Sequence, residues 1–209
     1  MSYKATYKDE TGLSKEMSIT EEDSREALKN DFAEINRRYN PRYVSIERVQ
    51  AKTGEAMHIK VTVNAPSHYL TGPEDDNPKP CNSMTADITC YPGYPVEKVL
   101  VSYSKNRRLA SPNVFSSGAA CIDTWYPFKS SMVTVVDKLV HDMIHDPNVS
   151  RYDSPACSKM IQWHKDGVAA GRFPTIEPKL LDMPETVALP PRRSRKVDAT
   201  PPLPSRRTH

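Results

Sequence analysis

The sequence predicts an α+β domain in which a helix precedes a four-stranded antiparallel meander, a long irregular segment and two C-terminal helices. Three observations lead to this prediction. Apolar residues with helical spacing open the domain, alternating apolar residues with strand spacing follow, and two further helical stripes close it. Consecutive strands joined by short turns favour antiparallel pairing, with the helices on one face.

The first helix is predicted to begin at Thr20. Asp23 follows three residues later, a spacing that is typical of a capping box. The apolar stripe consists of Leu28, Phe32, Ile35 and Tyr39. Asn40-Pro41 ends the helix, and residues 1–19 in front of it are predicted to be irregular.

Four stretches have the composition or the alternation of strands: residues 43–49, 57–63, 84–90 and 99–103. Thr53-Gly54 predicts a hairpin turn between the first two strands. Residues 65–83 are polar and predict a long loop, and the proline-rich residues 91–95 predict a rigid turn. The strands are therefore expected to form a meander.

Residues 104–129 show no clear periodicity, and an irregular segment of that length in a compact domain is usually functional. A second helix is predicted after Ser130, with one apolar face formed by Val133, Val136, Val140, Met143 and Ile144. A third helix is predicted to begin at Ser154-Pro155 and to end at Gly171.

Charge separates the last part of the chain from the rest. The chain has 209 residues and a net charge of +3, yet residues 178–209 hold seven Lys/Arg, three Asp/Glu and seven of the 19 prolines. The sequence thus predicts one domain over residues 20–172 and a disordered Pro/Arg-rich tail over 173–209. That tail could be a polyproline ligand, a basic arm for nucleic acid or an acidic surface, or a solvated segment without a partner.

Several function classes are excluded at this stage. No apolar run approaches the roughly 20 residues of a membrane span, and the N-terminus has no apolar signal region. We therefore expect a cytoplasmic protein with no membrane partner, and the near-neutral domain predicts no nucleic-acid partner. The four cysteines lack zinc-finger spacing and suggest no disulfide framework. Three are expected to be small buried hydrophobes, and one a nucleophile.

Cys121 is the candidate nucleophile because it follows a run of small residues, Ser116 to Ala120, that would leave it accessible. An exposed thiol can attack a carbonyl and hold the acyl group as a thioester. The loop contains no histidine. An acyl carrier that is charged by thiol exchange does not need a strongly depressed thiol pKa.

The residues around Cys121 occur in a recognisable order. Cys121 lies eight residues after Asn113 of a Ser-Pro-Asn tripeptide, and a tyrosine-proline turn precedes that tripeptide. The other elements of the pattern are Gly118, Asp123, Trp125, Pro127 and Asp146-Pro147-Asn148. In this order and spacing the chain resembles the ubiquitin-conjugating enzymes, over residues 20–172 and most densely over 91–148.

The chain departs from the family pattern at three places, one of which is a compressed tyrosine-proline turn. Ser111 stands where the family has a histidine, and the loop between Cys121 and Trp125 is several residues shorter than in typical eukaryotic members. In this divergence the chain is similar to the stand-alone conjugating enzymes of bacterial ubiquitin-like operons, some of which are linked to phage defence.

The resemblance implies a role for each candidate catalytic residue. Cys121 would receive the C-terminal glycine of a ubiquitin-like modifier from an activating enzyme. Asn113 would donate to the oxyanion, brace the loop, or do both. Asp153 would orient the incoming lysine and lower its pKa, or it would be only a helix N-terminal charge. Asp123 is a second candidate with loop bracing as its alternative, and the Ser111 hydroxyl would replace the family's imidazole.

The resemblance also implies partners. Arg25 and Lys29 on the first helix would meet the activating enzyme, or they would lie on a solvated helix face. The expected ligase contacts are Tyr94, Val96, Tyr126 and Pro127. No cofactor is expected, because ATP is consumed by the activating enzyme. The alternative function is a catalytically inactive relative, or an RWD-type domain, that scaffolds partners.

Overall fold

The computed structural model describes residues 2–8, 11–49, 55–122, 125–127, 129–173 and 181–182. Within these ranges the fold is α+β, with antiparallel sheets and three helices. The strands are β1 (Ser2–Lys8), β2 (Ser14–Thr20), β3 (Val44–Val49), β4 (Met57–Val63), β5 (Ser67–Leu70), β6 (Lys79–Cys81), β7 (Met84–Cys90), β8 (Leu100–Ser102) and β9 (Arg108–Leu109). The helices are α1 (Glu21–Arg38), α2 (Met132–Met143) and α3 (Lys159–Ala169).

The N-terminal segment is a β-hairpin, so the prediction of irregular structure over residues 1–19 is wrong. β1 pairs antiparallel with β2, with Ser2 opposite Thr20 and Lys8 opposite Ser14. The apolar alternation in β2 is limited to Met17 and Ile19, which is too short to be recognised as a strand from the sequence. β2 leads directly into α1.

The predicted start of α1 is confirmed. The Thr20 side chain accepts a hydrogen bond from the Asp23 backbone N–H at 3.1 Å, and the Asp23 carboxylate accepts one from the Thr20 N–H at 3.2 Å. The predicted apolar stripe is buried in the core: Leu28, Phe32, Ile35 and Tyr39. The capping box and the stripe together orient the helix on the sheet.

The predicted meander is confirmed as a four-stranded antiparallel sheet with the order β3-β4-β7-β8. Ile59 of β4 lies opposite Ile88 of β7, and Val61 lies opposite Ala86; all four side chains are buried. The side chains between them point to the other face of the sheet. The residues of α1 and α2 join the buried face in one apolar core, which places both helices on the same side of the sheet.

A second sheet occupies the stretch that was predicted to be a polar loop over residues 65–83. β5 and β6 lie in that stretch, and they pair with β9 in the order β6-β5-β9. These strands are only two to four residues long, and β6 carries Pro80 at the sheet edge. These strands are therefore defined by their backbone pairing, and no alternation of apolar residues in the sequence indicates them.

α2 begins as predicted, whereas α3 begins later than predicted. Ser131 caps α2 by accepting from the Thr134 N–H at 3.3 Å. α3 begins at Lys159 and not at Ser154-Pro155. The Cys157 N–H donates to the Pro112 carbonyl at 3.0 Å, a tertiary bond that holds the preceding residues outside the helix.

Three residues assigned to the predicted tail pack against the domain. Phe173 stacks on His145 with the ring centroids 4.3 Å apart. Leu181 is 1% exposed, and its carbonyl accepts from the Asn40 N–H at 2.6 Å, while Asp182 forms a β-bridge with Tyr39. The other tail residues and the predicted Thr53-Gly54 turn lie outside the described residues. None of the described helices has the length and apolar character that crossing a membrane requires.

Candidate functional site

The segment before Cys121 is held against the edge of the main sheet although it contains almost no regular structure. The Ala120 N–H donates to the Val101 carbonyl at 2.9 Å, and the Tyr103 N–H donates to the Gly118 carbonyl at 2.8 Å. Residues 118–120 thus run alongside β8 and end at Cys121. The sheet therefore sets the position of the candidate nucleophile.

Gly118 is required where the segment meets the sheet. Its φ is +91°, and a Cβ added there would lie 2.6 Å from the Tyr103 carbonyl oxygen. Both the left-handed backbone and the close approach to another backbone favour glycine. The small residues that suggested accessibility of Cys121 also permit this contact.

Cys121 is partly exposed and free, and its N–H donates to the Asn113 carbonyl at 2.8 Å. Cys90 is buried, and burial together with the charges of Asp31 and Glu97 raises the pKa of its thiol to about 12. Cys81 and Cys157 are partly exposed, so the prediction that all three other cysteines are buried is wrong for these two. Both nevertheless pack against apolar clusters.

The Asn113 side chain is 2% exposed and fully engaged. Its Nδ2 donates to the Asp142 carboxylate at 3.0 Å and to the Val149 carbonyl at 3.1 Å, and its Oδ1 accepts from the Arg151 N–H at 3.1 Å. These three contacts agree on the orientation of the amide. Of the two roles predicted for Asn113, this geometry provides loop bracing, because both amide hydrogens are already donated.

The Ser111 hydroxyl completes the brace. Its Oγ donates to Asp142 Oδ1 at 2.7 Å and accepts from the Asn113 N–H at 3.0 Å. Ser111 is fully buried, so its hydroxyl has no solvent partner to compete with these contacts. Ser111 therefore ties the tripeptide to the rest of the domain.

Asp142 is the central acceptor of this network, and it was not among the predicted site residues. It lies in the last turn of α2 and is 3% exposed. Burial raises the pKa of its carboxyl to about 6, although the hydrogen bonds from Ser111 and Asn113 oppose that rise. In the sequence, Asp142 is a single acidic residue on an otherwise apolar helix face. Helical periodicity alone gives no reason to expect that residue to be buried and hydrogen-bonded.

Asp153 lies in a loop whose two flanks are both tied to the tripeptide. The Arg151 N–H binds Asn113, and the Cys157 N–H binds the Pro112 carbonyl at 3.0 Å. Asp153 itself is exposed. The structure thus brings the loop that carries Asp153 to the segment that carries Cys121. Asp123, the second acidic candidate, lies outside the described residues.

Aromatic and histidine side chains hold this loop against α3. The Tyr152 hydroxyl and the His164 Nδ1 are 2.8 Å apart, and His164 is fully buried. His145 is packed among His68, Trp163, His164 and Phe173. Burial lowers the pKa of His164 to about 4 and that of His145 well below its ordinary value. This cluster was not predictable from the sequence, because its members come from separate parts of the chain.

Tyr94 and Val96, two predicted ligase contacts, are buried at 1% and 3% exposure, so this conformation does not present them to a partner. The Tyr94 hydroxyl donates to Asp31 and accepts from the Met132 N–H at 2.6 Å, which joins α1 to the start of α2. Its ring packs against Trp125. Burial raises the pKa of Tyr94, so its hydroxyl stays protonated at neutral pH.

The other predicted contacts differ in accessibility. Tyr126 is 48% exposed, whereas Pro127 is buried. On α1 both Arg25 and Lys29 are exposed, and Arg25 forms an ion pair with Glu21 at 2.7 Å. Tyr126, Arg25 and Lys29 are therefore the predicted partner residues that are presented on the surface.

A scan against protein-family models and a search of curated proteins found no match for this chain. Among the described residues, no group of three or more His, Cys, Asp or Glu side chains is arranged to hold a metal ion. The site is thus defined by its own geometry: a partly exposed thiol at the end of a segment that is tied to a sheet edge and to a buried polar network.

Proposed function

We propose that the chain is a ubiquitin-like-protein conjugating enzyme with a UBC-like fold, which carries its modifier as a thioester on Cys121 and transfers it to an amine of a target protein. One observation carries the proposal. Cys121 lies eight residues after the Asn of a Ser-Pro-Asn tripeptide, and its N–H is bonded to that Asn. The meander, the tyrosine-proline turn between β7 and β8 and the helices that follow support the same fold.

The first step is a thiol exchange. The Cys121 thiolate attacks the thioester carbonyl that joins the modifier's C-terminal glycine to an activating enzyme. A new C–S bond to Cys121 forms, the C–S bond to the activating enzyme breaks, and the thiolate of that enzyme leaves. The partial exposure of Cys121 suits such an exchange, since the partner thioester has to reach it. ATP is used by the activating enzyme and not by this chain.

The second step transfers the acyl group. The neutral amine of an acceptor, with lysine as the expected side chain, attacks the thioester carbonyl; a C–N bond forms and Cys121 leaves as a thiolate. The proton that the attacking nitrogen loses passes to solvent water, and an exposed carboxylate on the tethered loop would orient the amine beforehand. Asp153 is our candidate for that orienting group because both flanks of its loop are anchored to the tripeptide.

Asn113 supports this chemistry as a brace. Its amide hydrogens are donated to Asp142 and Val149, so the oxyanion of the second step would need other donors or a rearrangement of this amide. Ser111 has the same bracing role through its hydroxyl. Together the two residues fix the segment that ends at Cys121, which is a preorganisation of the nucleophile.

A direct assay tests the proposal. The protein is incubated with ATP, a ubiquitin-like protein and its activating enzyme, and is examined on gels with and without dithiothreitol. We expect an adduct that dithiothreitol removes and that Cys121→Ala abolishes, whereas Cys81→Ala retains it. The absence of an adduct, or an adduct that survives Cys121→Ala, would contradict the proposal. An operon that encodes an activating enzyme and a modifier would support a role in bacterial antiphage defence.

The alternative is an inactive UBC- or RWD-like module that scaffolds partners. The full engagement of the Asn113 amide favours this reading, because it leaves that side chain no donor for catalysis. The two functions differ in their dependence on the thiol. A scaffold would bind its partners equally well after Cys121→Ala and would form no covalent adduct.

A further inference from the structure

We propose that Asp142 is the positioning residue of the Cys121 segment, and that its ionised carboxylate holds this segment in the reactive arrangement, so that mild acid loosens it. The catalytic consequence rests on the function proposed above. The brace itself is a property of the fold and can be measured without any modifier.

The path from Asp142 to Cys121 is short and continuous. Asp142 Oδ1 accepts from Ser111 Oγ at 2.7 Å and from Asn113 Nδ2 at 3.0 Å. The Asn113 carbonyl then accepts the Cys121 N–H at 2.8 Å. Two donors from the tripeptide thus converge on one oxygen of a side chain in α2. Along this path, the tripeptide alone connects the Asp142 carboxylate to the backbone of Cys121.

The surroundings of the carboxylate determine its charge. The Tyr103 hydroxyl, which follows β8, is buried and has no hydrogen-bond partner among the described residues; burial and the charge of Asp142 both raise its pKa. Lys138, one turn earlier in α2, favours the ionised carboxylate. The adjacent His141 contacts Asp146 instead, at 2.7 Å. Since the pKa of Asp142 lies at about 6, its carboxylate is ionised at neutral pH and becomes protonated under mildly acidic conditions.

Protonation would weaken both bonds of the brace, although it also removes the cost of burying a charge and so stabilises the folded state as a whole relative to the unfolded state. Hydrogen bonds to an ionised acceptor are roughly twice as strong as those between neutral groups. The protonated carboxyl would also carry a buried O–H that needs an acceptor of its own. The hydrogen bonds from Ser111 and Asn113 would then hold the tripeptide less firmly. As a result, the hydrogen bond from the Cys121 N–H to the Asn113 carbonyl would break more often.

Nuclear magnetic resonance on the ¹⁵N-labelled full chain tests this inference. The Asn113 side-chain amide and the Cys121 backbone amide are followed from pH 7.5 to pH 4.5 in the wild type, Asp142→Asn and Ser111→Ala. Asp137→Asn is the matched control, because Asp137 is a carboxylate of the same helix that contacts Tyr39 and Arg38 instead. Asn is nearly isosteric with Asp and its Oδ1 accepts the same two bonds without titrating, so this variant is expected to fold.

In the wild type and in Asp137→Asn, both signals are expected to shift with a midpoint near pH 6. Asp142→Asn removes that midpoint. Ser111→Ala moves it upward, because it removes a hydrogen bond that stabilises the ionised form. In the adduct assay, loading of Cys121 falls more steeply as the pH drops through 6 in the wild type than in Asp142→Asn.

A midpoint near pH 6 that persists in Asp142→Asn would overturn the inference, as would signals that do not titrate in the wild type. These outcomes are separate from a failure of the proposed function. If no adduct forms while the titration follows Asp142, the proposed function fails and the brace stands. If an adduct forms with the same pH dependence in the wild type and Asp142→Asn, the proposed function stands and the role of Asp142 as a positioning residue fails.

Discussion

Gly118 is the residue at which the candidate site depends most directly on backbone geometry. The chain there has a positive φ, and it passes so close to Tyr103 that a side chain would collide with the carbonyl oxygen. Ala119 and Ala120 then bring the segment along β8 to Cys121. A substitution at Gly118 is therefore expected to shift the backbone of residues 118–120 and with it the position of the Cys121 thiol.

Gly118→Ala is predicted to lower the free energy of unfolding by about 1–3 kcal/mol, the usual cost of a non-glycine residue in this backbone region. The clash with Tyr103 adds to that strain. Urea denaturation followed by circular dichroism measures the change. Gly72→Ala is the control, because a Cβ at Gly72 meets nothing within 4 Å. Equal stabilities of the two variants would show that Gly118 is not constrained as described.

Asp142 yields a second prediction at the scale of one residue. Its pKa is raised from the ordinary 3.8 to about 6 in the folded protein, so the folded state binds the proton more tightly than the unfolded state. Its contribution to stability therefore decreases by up to about 3 kcal/mol as the pH rises from 4 to 7. Asp142→Asn lacks this dependence. Relative to the wild type, it should gain stability between pH 4 and pH 7 in urea titrations, and a constant difference would contradict the prediction.

The packing of helix α3 is expected to weaken in acid. It carries His164 and packs against His145, and both imidazoles are neutral because burial lowers their pKa values. The unfolded chain binds protons on these groups more readily than the folded chain. Their contribution to stability is therefore complete above pH 6.5 and is lost as the pH falls toward 4.

Hydrogen exchange at the amides of α3 measures this loss. Protection relative to α2 is expected to fall between pH 6.5 and pH 4.5 in the wild type, after correction for intrinsic exchange rates. His164→Gln removes one of the titrating groups and should make the decline shallower. If α3 and α2 lose protection in parallel in both proteins, the histidine cluster does not control the docking of α3.

Elements with a local signal were predictable from the sequence, and elements defined by tertiary contacts were not. The capping box at Thr20 and the alternation in β4 and β7 gave α1 and the meander. The start of α3 was misplaced because the bond from Cys157 to Pro112 overrides a good local cap. β5 and β6 escaped prediction because few apolar residues mark them.

The whole molecule extends beyond the predicted domain boundary at residue 172. Leu181 is part of the main apolar core, and Asp182 pairs with Tyr39 at the end of α1. The composition of the region suggested a tail that begins directly after α3. The pair Leu180-Leu181 in a charged, proline-rich stretch carries no periodic signal, so the burial of Leu181 could not be inferred from the sequence.

Leu181→Ala is predicted to lower the free energy of unfolding by about 2–5 kcal/mol, the usual cost of truncating a buried leucine. The reason is that it removes a side chain from the core beside α1. Leu13→Ala is the matched control, because Leu13 is 66% exposed and its truncation should change stability by less than about 0.5 kcal/mol. Urea denaturation of both variants provides the comparison. Similar values for the two would show that the Leu181 side chain contributes nothing to the stability of the fold.

The candidate site was predictable in part. The position of Cys121 relative to the tripeptide can be read along the chain. The prediction that Asp153 lies directly before α3 is wrong: Asp153 lies in a loop six residues before the helix begins, so it is not a helix N-terminal charge. Asp142 could not be recognised as the partner of Ser111 and Asn113, because 29 residues separate it from Asn113 and only the packing of α2 brings them together. The burial of Tyr94 likewise depends on contacts with α1 and α2.

Intact-mass spectrometry with peptide mapping of the charged protein tests the role of Cys121 most directly. After incubation with ATP, a ubiquitin-like protein and its activating enzyme, we predict one adduct whose mass is that of the modifier less one water. It should be located on Cys121 and released by dithiothreitol. Cys121→Ser should give an ester that resists dithiothreitol and yields to alkali. An adduct on Cys81, Cys157 or a lysine with Cys121 unmodified, or no adduct at all, would contradict the proposed function.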